Sequence, residues 1–227
     1  MTTDIADNLK AIIDTLKDGV RLVAVSKYHP ESEVMTAYNA GQRIFGESHV
    51  QELQRKHEAL PKDIEWHFIG HLQTNKVKYI APYIASIDAV DTVKLMKEIN
   101  RQGEKNNRII DILLELHVAK EETKYGFTID ECREMLKSGE WQQLNNVRIC
   151  GLMTMASFVD DVNIIRQEFL SAAEFFKEAK SQFFADKPYF RECSWGMSHD
   201  YVTGMECGST MVRVGTSIFG ERDYGKH

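Results

Sequence analysis

Three stretches of the chain set side chains of reactive or ligand-holding type at the ends of apolar runs. In VAVSKYHP, Lys27 directly follows the run RLVAVS at 21–26. An ammonium just beyond a buried strand is partly desolvated, which lowers its pKa and supplies a neutral amine able to condense with an aldehyde. The same placement suits a lysine that snorkels to water. Near the other end, CGSTMVRVGTSIFG sets Arg213 inside an apolar run and Gly215 and Thr216 at its close. Gly215 allows close backbone approach, and Thr216 and Ser217 add hydroxyls, the ingredients of a phosphate cradle. A buried Arg213 needs an acceptor: a carboxylate, a carbonyl or a ring nitrogen. A structural salt bridge meets that need as well as a ligand does. Upstream, CSWGMSHD brings Ser194 and Ser198 to the end of the preceding run.

These residues need a frame that gathers strand ends. Eight short Val- and Ile-rich runs lie at 21–26, 43–46, 65–69, 85–89, 110–118, 147–153, 192–196 and 211–215. Between them, helical periodicity marks 33–40, 50–60, 76–80, 92–102, 129–136, 163–184 and 201–206, after an amphipathic segment at 4–17. Ser32, Asp91 and Thr128 are the candidate N-caps. Strands alternating with helices pair in parallel through right-handed crossovers. The pattern therefore predicts an α/β fold, a single (β/α)8 TIM barrel with an extra N-terminal helix, occupying 1–227 as one domain. An open doubly wound sheet would want a glycine fingerprint after its first strand, and VAVSKYHP has none. In a barrel, Met153 and Phe45 are expected to fill the interior.

Composition narrows the function. The 227 residues carry 28 Lys plus Arg against 34 Asp plus Glu, a net charge of −6, so nucleic acid and anionic membranes are not expected partners. No apolar run is long enough to span a bilayer, and the N-terminus lacks the basic and small-residue features of an export signal. The four cysteines show no CxxC spacing, which predicts reduced thiols and a cytoplasmic protein rather than a disulfide framework or zinc knuckle. His67 and His71 lie four apart, but on a strand and turn with no third ligand, so no metal is expected.

The segments VAVSKYHP, IFGESHVQEL, WHFIGHLQTNK, ETKYGF, GLMTM, SWGMSHD and GSTMVRVGTSIFGERDY follow one another along nearly the whole chain. In that order and spacing the sequence resembles the pyridoxal 5′-phosphate (PLP) homeostasis proteins, a family related to the N-terminal barrel of alanine racemase. The resemblance implies that PLP is the cofactor, held as a Schiff base on Lys27. It implies also that Arg213 faces the pyridine nitrogen and that Ser198, Gly215 and Thr216 hold the phosphate. Two positions depart from the family. Ser48 stands where FGEN has its amide, keeping one hydroxyl for the pocket. Met155 stands where the racemases carry a histidine near the ring, and a thioether can pack there but cannot move a proton.

A racemase also needs a tyrosine from a separate C-terminal β-domain, for which this chain is expected to have no room. A guanidinium at the ring nitrogen weakens the ring as an electron sink. The resemblance therefore implies a non-enzymatic protein that acts in vitamin B6 and amino-acid homeostasis, expected to be monomeric, with apo forms of PLP-dependent enzymes as candidate partners. Two other functions fit parts of the pattern. A PLP-dependent amino-acid racemase would need a second acid/base group among His29, His71, Tyr125 and His199. A phosphorylated-sugar isomerase would use Gly215 and Thr216 but leave Lys27 unmodified. Lys76 and Lys124 belong to motif segments without an assigned role.

Overall fold

In a computed structural model that describes residues 4–119 and 125–221, every predicted run forms a strand. These are β1 (Arg21–Val25), β2 (Ile44–Glu47), β3 (Glu65–Phe68), β4 (Ser86–Val90), β5 (Ile110–Leu116), β6 (Val147–Thr154), β7 (Glu192–Met197) and β8 (Met211–Val214). All pair in parallel with their sequence neighbours, and β8 pairs with β1, closing the barrel. The helices are α1 (Ile5–Ile13), α2 (Glu31–Asn39), α3 (Val50–Ala59), α4 (Val77–Ile80), α5 (Val93–Lys105), α6 (Ile129–Ser138), α7 (Val162–Phe183), α8 (Tyr201–Glu206) and α9 (Thr216–Phe219). No described helix is long and apolar enough to cross a membrane.

Side-chain parity sorts the sheet into two faces. Leu22 and Ala24 on β1, Trp66 and Phe68 on β3, and Val212 and Val214 on β8 join the main core between sheet and helices. The residues between them, Val23, His67 and Arg213, therefore point into the barrel. Ala89, Leu113, Cys150 and Met153 form a separate buried cluster there, with Met155 packed against it. Polar groups share this space: His67, Asp88, Glu115, Ser194 and Arg213 are all buried. Phe45 departs from its expected interior position. It packs in the main core, 5.9 Å from the Trp66 ring, because Gly46 holds the inward place on β2 beside Val23 and Ile69.

Two of the predicted caps are also corrected. Pro30, not Ser32, precedes α2 without a side-chain bond, and Thr92, not Asp91, caps α5 by accepting from Leu95 N. Asp91 instead accepts from His71. Thr128 caps α6 in a reciprocal capping box with Glu131, as its spacing predicts. α9 and a 3-10 turn at Glu140–Gln143 lie where the sequence predicts no helix.

Candidate active site at the barrel mouth

On β1, Ala24 faces the helices, and so does Ser26, whose hydroxyl donates to Glu47 Oε1 at 2.6 Å. Val25 and Lys27 accordingly turn inward, and both line a cavity of about 350 Å³ at the C-terminal mouth. That size lies within the usual range of small-molecule sites. Tyr28 follows with φ +68°, a left-handed conformation that costs a tyrosine about 1–2 kcal/mol. Strain of this kind immediately beside a reactive side chain is a mark of functional sites.

From β8 and the turn after it, Arg213, Gly215 and Thr216 line the same cavity; β7 and its loop add Met197, Ser198 and His199, and the β6 end adds Met155 and Phe158. Gly215 N donates to Ser198 Oγ at 3.3 Å. A Cβ on Gly215 would lie 3.0 Å from the Val25 carbonyl oxygen, so the close approach of β8 to β1 favours glycine there. The first amides of the Thr216 turn have no intrahelical acceptor and can donate to an oxyanion together with the nearby hydroxyls.

Arg213 is 3% exposed. Its acceptors are carbonyls and a hydroxyl: Nη1 donates to Ser194 O and Oγ, both at 2.7 Å, and Nη2 to Thr154 O at 3.0 Å. Three of the five guanidinium N–H donors are thereby used. Desolvation pushes the Arg213 pKa down, while Asp88, Glu115 and Asp200 oppose that shift. Burial and the neighbouring Asp91 charge push Glu115 up to about 7. Asp88 is held below the usual carboxylate range. Its burial acts upward, and is outweighed by His67, which bonds it at 2.9 Å, and by Ser86.

Six of the seven expected site residues, Lys27, Met155, Ser198, Arg213, Gly215 and Thr216, thus meet at one cavity. Ser48 is not among its lining residues; it packs against Gly70 at the rim, where a Cβ on that glycine would be 2.6 Å from Ser48 Cβ. Of the acid/base candidates, His199 lines the cavity, with Nε2 3.2 Å from Asp200 Oδ2. His71 stacks on Tyr125 at 3.8 Å outside the lining set. His29 does not face the mouth at all, being buried against Phe219 and bonded to Glu33. Lys124 lies outside the described residues, and Lys76 sits on a 3-10 turn away from the cavity. Phe158, 79% exposed at the cavity edge, was not anticipated, since nothing in the loop spacing distinguishes it.

A second cavity, of about 380 Å³, opens at the opposite end of the barrel. Its arginines are tied to carboxylates, Arg148 to Asp111 at 2.6 Å and Arg21 to Glu192 at 2.8 Å. The first cavity has donors to spare. Its donor set suits a phosphorylated aromatic aldehyde: an amine for the carbonyl, amides and hydroxyls for the phosphate, and a fixed guanidinium for a ring nitrogen.

Comparison with known proteins agrees with this chemistry. The family model of the alanine racemase N-terminal domain matches residues 2–223. The pyridoxal phosphate homeostasis protein of Aquifex aeolicus is 38% identical over 205 residues, covering 90% of this chain and 88% of that one. PipY of Synechococcus elongatus, solved without PLP, superposes with a TM-score of 0.89 at 33% identity, covering 95% of this chain and 100% of PipY. The PipY structure with PLP bound gives 0.85. An alanine racemase of Clostridium difficile shares the fold alone, with a TM-score of 0.74 at 12% identity, covering 98% of this chain and 58% of the racemase.

Proposed function

The chain belongs to the alanine racemase N-terminal domain family, and from that premise we propose that it is a PLP-binding protein of vitamin B6 homeostasis. The carrying observation is the meeting of Lys27, Arg213 and the Ser198–Gly215–Thr216 cradle at one cavity. When bound, PLP supplies an aldehyde that an amine captures reversibly with loss of water, and an electron-withdrawing ring. Lys27 Nζ is the capturing amine of the Schiff base. Ser198, the Gly215 backbone and Thr216 hold the phosphate, Arg213 donates to the ring nitrogen, and Met155 packs on the ring.

The protein holds the cofactor rather than turning over an amino acid with it. Met155 offers no proton, and permanently charged Arg213 opposes protonation of the ring. Residues 1–227 act as one domain and as a monomer. Four buried cysteines suit a cytoplasmic setting, burial pushing Cys132 and Cys150 up to about 12 and so keeping them from thiolate chemistry. Apo forms of PLP-dependent enzymes are the partners this role would serve.

With PLP, wild-type protein should absorb in the visible and, after borohydride reduction, carry the pyridoxyl mass on the Lys27 peptide; Lys27→Ala should lose both. An unmodified Lys27 peptide in the wild type would refute the assignment and leave the sugar-phosphate isomerase reading. His199 in the cavity gives the racemase reading its one structural support. Complete deuterium exchange at the α-carbon of an amino acid, abolished by His199→Ala, would establish that reading instead.

A further inference from the structure

The buried stripe of α3 contains a lysine. Val50 and Leu53 belong to the main core, and Lys56, on the same face, is 0% exposed. Its ammonium donates to the Ser26 carbonyl at 2.7 Å, to Glu47 Oε1 at 2.7 Å and to Glu52 Oε1 at 2.8 Å. The same Glu52 oxygen accepts the Tyr28 backbone N–H at 2.7 Å. One ion pair on a single helix therefore holds the backbone on both sides of Lys27. Burial pushes Glu47 up to about 7, which brings the charge of the cluster closer to balance around the one ammonium.

We infer that Lys56, with Glu52, is a positioning residue for Lys27: it clamps Ser26 and the left-handed Tyr28 so that the intervening side chain enters the cavity at the angle needed to capture an aldehyde. The inference rests on the PLP reading for what Lys27 captures, but the clamp is a property of this chain alone. A buried ammonium is expensive and needs full compensation, and three acceptors at 2.7–2.8 Å provide it. A lysine kept only for packing would be served as well by an apolar residue. The clamp stands at the turn that follows β1. Ser26 N still donates to the Gly46 carbonyl and Ser26 O accepts the His29 N–H, both at 3.1 Å, while Lys56 shares that Ser26 carbonyl and Glu52 takes up the Tyr28 N–H. Removing it lets Tyr28 relax toward negative φ, which rotates the adjoining peptide and swings Lys27 off its line. Misplacement of a reactive group by about 1 Å costs on the order of 100-fold.

The test compares wild type, Lys56→Met, the charge-balanced double variant Glu47→Gln/Lys56→Met, and Lys56→Met with Tyr28→Gly. PLP affinity is read by visible absorbance, capture by the pyridoxyl mass after reduction, and the clamp itself by hydrogen exchange of the Tyr28 amide in apo protein. In wild type the Tyr28 amide should be protected without PLP. In the folded variants it should exchange faster, and PLP affinity should fall about 10-fold or more. Tyr28→Gly, which removes the left-handed penalty, should restore most of the affinity to Lys56→Met without restoring amide protection. A folded Lys56→Met or double variant that binds PLP as wild type does overturns the inference. An unprotected Tyr28 amide in wild type overturns it whether or not any variant folds. Failure of the PLP reading appears separately, as a wild-type Lys27 peptide that gains no mass.

Discussion

Glu115 shows how a single buried carboxyl sets the conditions under which this barrel is stable. Its folded pKa is raised from 4.5 to about 7, by burial and by the charge of Asp91. Below 4.5 both the folded and unfolded chains hold the proton; between 4.5 and about 7 only the unfolded chain releases it, so stability falls as pH rises across that window. Glu47 contributes in the same sense over the same range. Asp88, whose pKa is lowered from 3.8, acts oppositely and only in more acidic solution. His57, whose pKa burial lowers from 6.5, acts oppositely toward the top of that window. The Glu115 contribution is therefore read by difference: between pH 4.5 and 7 wild-type apo protein should lose melting temperature relative to Glu115→Gln. An unchanged slope in the variant would show that Glu115 ionises normally in the folded protein. Cations that interrupt apolar runs announce themselves in the sequence, which is why Lys27 and Arg213 were legible. Lys56 carries the same kind of signal, a lysine in the stripe of Val50 and Leu53, but the Glu52–Lys56 spacing also describes an ordinary solvated pair, and only packing separates the two.

At the scale of elements, β6 and β7 meet in close backbone contact at a glycine. A Cβ on Gly151 would lie 1.9 Å from the Glu192 carbonyl oxygen. Gly151 also follows a register shift in which Ile112 pairs with Ile149 and Leu113 with Gly151. The extra residue returns Cys150 and Met153 to the interior cluster. Gly151→Ala should force the two strands apart and cost about 3 kcal/mol, read by denaturant unfolding. A loss below about 1 kcal/mol would mean that the strand pair yields easily. The strands could be placed from the sequence because apolar runs bounded by polar loops have few other fates. Caps at Ser32 and Asp91 could not, since several adjacent polar residues compete for each helix start. The inward turn of Gly46, which sends Phe45 outward, depends on register, and register is set by partners distant in sequence.

For the molecule as a whole, the seam between the first and last strands is covered from outside by the first and last helices. Asn8 Nδ2 donates to the Ile218 carbonyl at 3.1 Å, and Ile5, Leu9 and Ile12 bury against the core that includes Ile218 and Phe219. Because α9 begins at Thr216, the proposed phosphate cradle and the N-terminal helix share one support. Leu9→Ala should lower stability by about 3 kcal/mol and weaken PLP binding through the phosphate end. Unchanged PLP affinity in the destabilised variant would show that the cradle stands without α1. Closure has one more outcome. A sheet joined to itself exposes no unpaired strand edge, so neither an intruding peptide nor another copy of the chain can extend it by adding a strand. Any protein that docks at the opening would have to recognise side chains on the loops around it, with no backbone ladder to extend.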